Sequence, residues 1–401
     1  MINALIILIA LAVGGYLAFA PRLRNSSKWQ AMVTPLASIM GSGFLVSAPL
    51  LGGLVGNLAV VCMACLLVLA YGVGSAIRFN IQHFEPIENQ KGPAQSIAFL
   101  SRIVLAGAYF ISVSYYLQLL AAFVGQALGI TDPVVTNSIT TALLLVIGGI
   151  GIWRGLDMLE KLEKYAVALN LGMIAALLVA LAIHNSQLVF SGSWKLPDIS
   201  SVIDYNDLRI LLGLLIVVQG FETSRYLGDN HPPEERIATM RLAQLVSAGI
   251  YLVFIGLATV LFHDGLGSDV TAIVELTRPV AWILPTLIAV AAIGSQFSAA
   301  VADNEGAGGL LADISRHRVS PRYAYGLILL VTITLTWETD VNGIITYASR
   351  AFALFYMLQC VVALIVAWQK RDLQGRAMKL AYYLSLALIC LLVFALGIPS
   401  E

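Results

Sequence analysis

Charged side chains are scarce in this chain of 401 residues, because Asp, Glu, Lys and Arg together make up only 11% of it. A soluble domain has about 25% charged residues, so the composition excludes an ordinary soluble globular protein. The 23 basic and 23 acidic residues cancel, and no basic or acidic tail is present. Nothing in the charge pattern therefore suggests a nucleic-acid partner.

Cysteine and histidine are scarce as well. The four cysteines lie in apolar stretches, and although Cys62 and Cys65 form a CxxC pattern, no histidine or carboxylate stands beside them. We interpret them as small membrane-buried residues rather than a metal or redox site. The five histidines lie in loops or at the ends of apolar runs, and neither HExxH nor GxSxG occurs. These absences argue against an intramembrane enzyme, and we predict no cofactor.

Apolar runs of about 20 residues recur from one end of the chain to the other. Each is long enough to cross a hydrocarbon core of about 30 Å, so the sequence predicts an all-α membrane protein in the lipid bilayer. We predict twelve spans, at 2–20, 30–54, 57–81, 97–126, 132–152, 163–183, 207–227, 238–263, 279–314, 322–337, 341–368 and 376–397.

The run 2–20 ends in the residues AFA, which imitate a signal-peptidase site. No basic residue precedes it and Pro21 follows the would-be cut, so we predict a retained helix. Lys and Arg then concentrate in alternate loops, beginning with 21–29. The positive-inside rule makes these loops cytoplasmic. The predicted location is the cell (inner) membrane. With twelve spans, the N-terminus and the C-terminus are both expected on its outer side.

Helix-breaking residues interrupt the second run, where GSG occupies positions 41–43 near the middle of span 30–54. Unpaired backbone groups are costly in hydrocarbon, so irregular backbone survives there only where it lines a cavity or is buried in protein. Close helix packing through small residues is the alternative explanation.

A second interruption lies in span 207–227, where QGFE at 219–222 places a carboxylate near the middle of the bilayer. If the ten spans from 30–54 to 341–368 form the core, the interruptions fall in core helices 1 and 6. These are matching positions of two five-helix halves, and the odd number inverts the second half. Paired interruptions of this kind are typical of a transporter site, where half-helix N-termini bind anions such as carboxylates.

Three stretches resemble the amino acid–polyamine–organocation (APC) superfamily of transporters. "IMGSGFLVSAP" is similar to that family's first core helix, and "VVQGFETSRYLGDNHPPEERIATMRLAQ" resembles its sixth core helix and the following loop. "GSQFSAAVADNEGAGGLLADISRHRVSP" resembles its eighth. The resemblance spans about residues 30–368 and implies the LeuT fold, a 5+5 inverted repeat with discontinuous core helices 1 and 6.

The resemblance divides the chain into four parts. Residues 1–29 are an extra N-terminal transmembrane helix and its cytoplasmic loop, as in sodium–solute symporters. Residues 30–184 and 185–369 are the two five-helix repeats, and 370–401 form a C-terminal transmembrane helix.

The family's solute site lies at the two breaks, and amino acids are its default solutes. The resemblance implies that backbone amides at 41–43 bind a solute carboxylate and that Phe221 closes over the solute. A polar and aromatic cluster on core helix 3 is expected to face the same cavity. The predicted substrate-binding residues are Gly41, Ser42, Gly43, Tyr109, Tyr115, Gln219, Gly220, Phe221, Glu222 and Arg350.

The coupling ion is either Na⁺ or H⁺. In sodium-coupled relatives the carbonyls of Ala37 and Met40 would face the ion. Ser295 and Ser298, which lie on one face of core helix 8, would add hydroxyl oxygens, the ligand type that hard cations prefer. In some proton-coupled relatives a lysine stands in for sodium, and the resemblance places Asn170 at that position, which argues against a lysine-based mechanism.

Ionisable residues near mid-span supply the proton alternative. Glu222 and Arg350 lie where charged groups are costly and usually functional. Glu222 would bind a solute amine, carry the coupling proton or pair with Arg350, with Arg225 as a competing partner. Asp303, late in core helix 8, is a second proton-coupling candidate, expected in a wet inner vestibule.

These features predict a secondary active transporter, a symporter that moves a small solute, an amino acid or amine-like metabolite, by alternating access. The alternative keeps the fold and changes the solute to an organic anion, nucleobase, sugar or inorganic ion. No pore-loop signature or signalling domain favours a channel or a sensor. The expected partners are the solute, the coupling cation and the bilayer, and the oligomeric state stays open.

Overall fold

The chain folds into helices and short 3-10 turns, without a β-strand in the part that the structure describes. That structure is a computed structural model. It describes residues 2–130, 132–154, 157–199, 202–228, 231–316 and 318–399, except for the side chains of residues 24, 42, 154–164, 321 and 322.

Twelve helices follow one another along the described residues, with two single-turn helices, Pro21–Arg24 and Ile273–Leu276, in the connections. They are α1 (Ile2–Phe19), α2 (Ser27–Val55), α3 (Ala59–His83), α4 (Pro93–Leu128), α5 (Pro133–Arg154), α6 (Asp157–Phe190), α7 (Tyr205–Gly213), α8 (Pro233–Ala258), α9 (Leu284–Ile314), α10 (Pro321–Glu338), α11 (Val341–Gln369) and α12 (Arg376–Leu396).

Nine helical segments of the described residues are long and apolar enough to cross a membrane. One of them, Ser27–His83, contains both α2 and α3, and α10 offers a shorter apolar stretch, Tyr323–Glu338. The helix α7 has only nine residues. The predicted all-α, multi-span protein is confirmed, whereas the count of twelve spans and the inverted repeat stay predictions.

Local sequence signals set the helix starts. The helices α4, α5, α8 and α10 begin at proline, whose fixed φ suits the first turn. Ser26 caps α2, Asp204 and Asp207 form a reciprocal capping box on α7, and Asp340 accepts the N–H of Gly343 at 2.8 Å on α11. These caps satisfy N–H groups that have no partner within their helix.

The extra first helix packs against α6 through small residues. A Cβ atom placed on Gly172 would lie 2.5 Å from the carbonyl oxygen of Ala10, and one on Gly14 would lie 3.3 Å from the carbonyl oxygen of Ala168. The two backbones therefore touch, as they do at small-residue helix interfaces in membranes. The helix α1 is thus part of the folded bundle.

Side chains tie the helices together at the end of the bundle where α3 ends and α8 begins, here named the Arg236 end. Arg236 donates to both carboxylate oxygens of Glu85 at 3.0 and 2.7 Å and to the carbonyl of Arg225 at 2.9 Å. Ser27, the first residue of α2, donates to the carboxylate of Glu235 at 2.5 Å. The start of α2 and the start of α8 are therefore held against each other.

At the opposite end, here named the Phe262 end, the connection between α8 and α9 folds over α2. A Cβ atom on Gly52 would lie 2.9 Å from the ring of Phe262, and Gly53 packs against the backbone of Gly267. Asn342, in the first turn of α11, donates to the carbonyl of Ser268 at 3.2 Å. This connection covers the second half of α2.

Candidate functional site

The first break lies at Gly43, whose φ of 176° and ψ of 14° leave the helical range inside α2. A Cβ atom on Gly43 would lie 2.7 Å from the Cα and Cβ of Val217. Only glycine fits between these two backbones. The backbone of Ser42 is helical, and its side chain lies outside the described part of the chain.

The second break follows α7. Two 3-10 turns, Leu215–Val218 and Phe221–Leu227, are separated by Gln219 in an extended conformation and Gly220 with a φ of +113°. That φ lies in the left-handed region that favours glycine. A Cβ atom on Gly220 would also lie 2.6 Å from the carbonyl carbon of Ser38. Both the conformation and the close approach to α2 therefore require glycine here.

The two breaks face each other, and side chains of neighbouring helices occupy their freed carbonyls. The Tyr251 hydroxyl of α8 lies within hydrogen-bonding distance of two of them, Ile39 in α2 and Val217 at the second break. Gln296 of α9 donates to the carbonyl of Gly41 at 3.1 Å. The irregular backbone is thus buried in protein and partnered there, as a membrane interior demands.

Glu222 is buried at the second break, with 1% of its surface exposed. Its Oε2 accepts the N–H of Gly220 at 3.0 Å and the hydroxyl of Tyr356 at 2.8 Å, whereas its Oε1 has no hydrogen-bond partner. Arg225 does not pair with it and donates instead to the side chain of Gln359. Glu222 is thus a buried carboxyl without a cationic partner among the described residues.

Arg350 forms no ion pair with Glu222, so this alternative for Glu222 is not the one seen in the structure. Its Nε donates to the carbonyl of Phe394 at 2.7 Å, and its guanidinium carbon lies 5.6 Å from the centre of that ring. Phe394 is in the last turn of α12, where carbonyls have no partner within the helix and a positive charge is favourable. In this structure Arg350 therefore anchors α12.

A polar cavity of about 40 Å³ lies between α2, α6 and α9, beside the breaks. Asn170 of α6 donates to the hydroxyl of Ser295 across it at 3.2 Å, and a Cβ atom on Gly41 would lie 3.5 Å from the same hydroxyl. A water molecule needs about 10–15 Å³ measured in this way, so the volume suits a few waters or a small ion. The lining includes the predicted residues Ala37, Ser295, Ser298 and Asp303, together with Ser38 and Asn170, but not Met40.

Asp303 is buried rather than in a wet vestibule, which corrects the expectation from sequence. It is 5% exposed and accepts a hydrogen bond from the Ser112 hydroxyl of α4. The reason is the length of α9, which continues to Ile314. Eleven further residues place the helix end about 16 Å beyond Asp303.

The aromatic cluster of α4 reaches the breaks in part. The ring of Tyr109 packs edge-on against Phe352 of α11 at 6.0 Å, and Tyr116 accepts the side-chain N–H of Gln219 at 2.9 Å. Tyr115 is fully buried beside Tyr116, with ring centres 5.0 Å apart. Within this cluster, Tyr116 thus bonds directly to the second break.

Three further residues at the breaks escaped the sequence analysis. Phe221 stacks on Tyr356 with ring centres 5.1 Å apart and an interplanar angle of 18°. Tyr356, Tyr251 and Gln296 are polar side chains within apolar membrane spans, and this polarity was the signal that the sequence offered. Many such residues only bond within the bundle, so the signal does not by itself assign them to the site.

Residues 21–397 match a family model described as APC superfamily transporter. The chain belongs to the APC superfamily. It is 44% identical over 368 residues to an uncharacterized protein of Aquifex aeolicus (strain VF5), with 89% of each chain covered. It is 24% identical over 375 residues to the b(0,+)-type amino acid transporter 1 of Rattus norvegicus, covering 86% of this chain and 73% of that protein.

Among solved structures, a mutant manganese transporter of Eremococcus coleocola is similar with a TM-score of 0.58 and 12% sequence identity, covering 93% of this chain and 87% of that one. At 12% identity this similarity supports the fold alone, which is the LeuT-like transporter fold. Together, the family and the apolar helices make this chain a multi-pass membrane transporter and not an enzyme.

Proposed function

We propose that the protein is a secondary active transporter, a symporter that moves an amino acid or amine-like metabolite by alternating access. The observation that carries the proposal is the meeting of two helix breaks, at Gly43 and Gly220, in a member of a transporter superfamily. The name of one relative, the b(0,+)-type amino acid transporter, supports this solute class.

An amino acid has one group for each part of the site. Its carboxylate suits the backbone N–H groups and helix dipole of the broken helix at Gly41–Gly43. Its ammonium suits the Glu222 carboxyl, whose Oε1 has no partner. The stacked rings of Phe221 and Tyr356 would cover the apolar part of the solute.

The closed geometry supports alternating access. The cavity beside the breaks holds only about 40 Å³, and Gly220 touches Ser38 across the site. A solute therefore needs the two broken helices to separate. The contacts at the Arg236 end and at the Phe262 end are the ones that would open in turn.

Coupling to a cation has support at two places. The buried Glu222, which has no cationic partner among the residues that the structure describes, supports H⁺, and Asp303 is a second carboxyl in the same region. The hydroxyls of Ser295 and Ser298 beside Ala37 support Na⁺, because hard cations take oxygen ligands. The carbonyl of Met40 belongs to the sodium set only as a proposal from family resemblance.

We further propose that the protein lies in the cell (inner) membrane with both termini outside. The basis is the concentration of Lys and Arg in loops at the Arg236 end, which the positive-inside rule makes cytoplasmic. Residues 30–184 and 185–369 are proposed as the inverted halves, because the breaks occupy the first helix of each.

The test is uptake into liposomes that contain the purified protein, with each of the twenty amino acids and an inward gradient of Na⁺, of H⁺ or of neither. We expect at least one amino acid to accumulate with one gradient. Uptake of none of them, together with uptake of an organic anion, nucleobase, sugar or inorganic ion, would transfer the assignment to the alternative solute class.

A further inference from the structure

A buried arginine that forms no ion pair with any described residue lies near the Arg236 end. Arg78 is five residues before the end of α3, about 8 Å along the helix axis, and only 6% of its surface is exposed. Its guanidinium donates to the side chain of Gln244 on α8 and to the carbonyl of Tyr71 at 3.4 Å, and it lies 4.8 Å from the centre of the Tyr71 ring. A buried charge is costly unless something neutralises it.

No carboxylate of the described residues forms an ion pair with Arg78. The charged side chain within electrostatic range is another cation, Arg241 of α8, which is exposed and also without an ion pair in the described chain. Lys370 and Lys379 add positive charge near the end of α3, where Asp372 is also within electrostatic range. Among the described residues, Arg78 and Arg241 therefore have no ion-pair partner.

Hydroxyl groups and apolar side chains surround that charge on the lipid-facing surface. Ser75, one turn before Arg78, lies 3.3 Å from the hydroxyl of Tyr382 on α12. Tyr71 and Tyr382 are exposed at the surface of the bundle, by 37% and 42%. Exposed apolar side chains continue the same helix faces, namely Leu245 one turn after Arg241 on α8 and Ile389 two turns after Tyr382 on α12.

We propose that this strip, formed by Tyr71, Ser75, Arg78, Arg241 and Tyr382, binds the phosphate of an anionic phospholipid headgroup. Its two guanidinium groups and three hydroxyls come from α3, α8 and α12, and all of these residues except Arg78 are partly or fully exposed. The acyl chains of the lipid lie along Leu245 and Ile389. The strip is separate from the helix breaks, and the proposal does not depend on the solute.

The chemistry of the strip favours a phosphate. An arginine has five N–H donors in a planar fork that matches two phosphate oxygens, and Arg78 uses two of its nitrogens once each within the protein. Basic groups between membrane helices at the cytoplasmic side commonly receive anionic headgroups. The exposed apolar side chains of Leu245 and Ile389 distinguish a lipid from free phosphate, because only a lipid brings apolar chains to cover them.

The test measures lipid binding to the purified full-length protein by native mass spectrometry. Phosphatidylglycerol, phosphatidylcholine and soluble glycerol phosphate are titrated in parallel. The variants are Arg241→Gln and Arg78→Gln, and Arg318→Gln is the control, since Arg318 is an exposed arginine at the same end of the bundle. Arg241→Gln carries the test if Arg78→Gln fails to fold, because the Arg241 side chain is exposed.

We expect phosphatidylglycerol to bind wild type and Arg318→Gln alike. Arg241→Gln should weaken that binding by about fivefold, which corresponds to about 1 kcal/mol for one cation at a membrane surface. Phosphatidylcholine should bind more weakly to all variants. Equal weakening by Arg318→Gln would show a diffuse charge effect, and glycerol phosphate binding as tightly as the lipid would show a soluble phosphate site; either result overturns the proposal.

Discussion

At the scale of single residues, two glycines allow the broken helices to meet. Gly220 needs both its positive φ and its contact with Ser38, whereas Gly43 needs only space against Val217. Glu222 then places one carboxyl at the junction. A single substitution can therefore test the close contact at Gly43 or the carboxyl of Glu222 separately.

Replacing Gly43 by alanine puts a methyl group 2.7 Å from Val217. We expect Gly43→Ala to lower the free energy of unfolding by about 1–3 kcal/mol through overpacking and to reduce uptake. Gly249→Ala is the matched control, because Gly249 lies in α8 with no atom within 4 Å of the added methyl group. Equal thermal unfolding of the two variants in detergent would contradict the close contact.

Glu222→Gln keeps an acceptor for Tyr356 and Gly220 and removes the proton-binding carboxyl. If Glu222 carries the coupling proton, accumulation driven by an H⁺ gradient is lost, whereas exchange of solute for solute at equal pH continues. If Glu222 binds the solute ammonium instead, both activities are lost.

Glu234→Gln is the control for this experiment, since Glu234 is exposed in the first turn of α8. It should leave both activities at the wild-type level. Unchanged H⁺-driven accumulation in Glu222→Gln would remove Glu222 from the mechanism and direct attention to Asp303 or to the sodium set.

At the scale of helices, the breaks are held by neighbours rather than by their own sequence. Tyr251 of α8 reaches both broken helices, Gln296 of α9 reaches α2, and Ser349 of α11 accepts the N–H of Ile216 at 2.8 Å. Side chains of three helices therefore form hydrogen bonds with backbone groups that a continuous helix would pair internally.

Removing the Tyr251 hydroxyl tests this arrangement. We expect Tyr251→Phe to lower the free energy of unfolding by about 1–3 kcal/mol, because buried carbonyls lose a donor. Tyr347→Phe is the control, since Tyr347 is 46% exposed on α11. Thermal unfolding of both variants measures the difference, and a loss of the same size in the control would contradict the specific role of Tyr251.

At the scale of the whole molecule, both ends of the bundle are closed over the breaks. Ion pairs and caps close the Arg236 end, and the connection through Phe262 closes the other. The transport proposal requires that these ends open alternately and that the Arg236 end faces the cytoplasm.

Labelling of single cysteines tests that orientation. In a background in which the four native cysteines are replaced, Ser193→Cys lies in the exposed connection after α6, and Asp372→Cys lies in the exposed connection between α11 and α12. A membrane-impermeant maleimide should modify residue 193 in intact cells and residue 372 only after permeabilisation. The reverse pattern would invert the proposed topology.

Many of the candidate site residues could be predicted from the sequence, but the contacts of Arg350 could not. The positions of both breaks, Glu222 and the polar pair Ser295 and Ser298 follow from glycines and polar residues inside apolar runs. Arg350 was one candidate partner for Glu222 because of its depth in its own helix, yet it contacts α12. Depth along a helix does not specify which neighbour a side chain faces.

The sequence by itself determined the membrane class, the helical segments, the family resemblance and the location of the breaks, because apolar length, helix caps and glycines act over short stretches of chain. Only the tertiary structure decided that Gly43 meets Val217, that Asp303 is buried against Ser112, and that Arg78 forms no ion pair within the described part of the chain. Those facts depend on which helices, distant in sequence, lie side by side and on the surfaces they turn to one another.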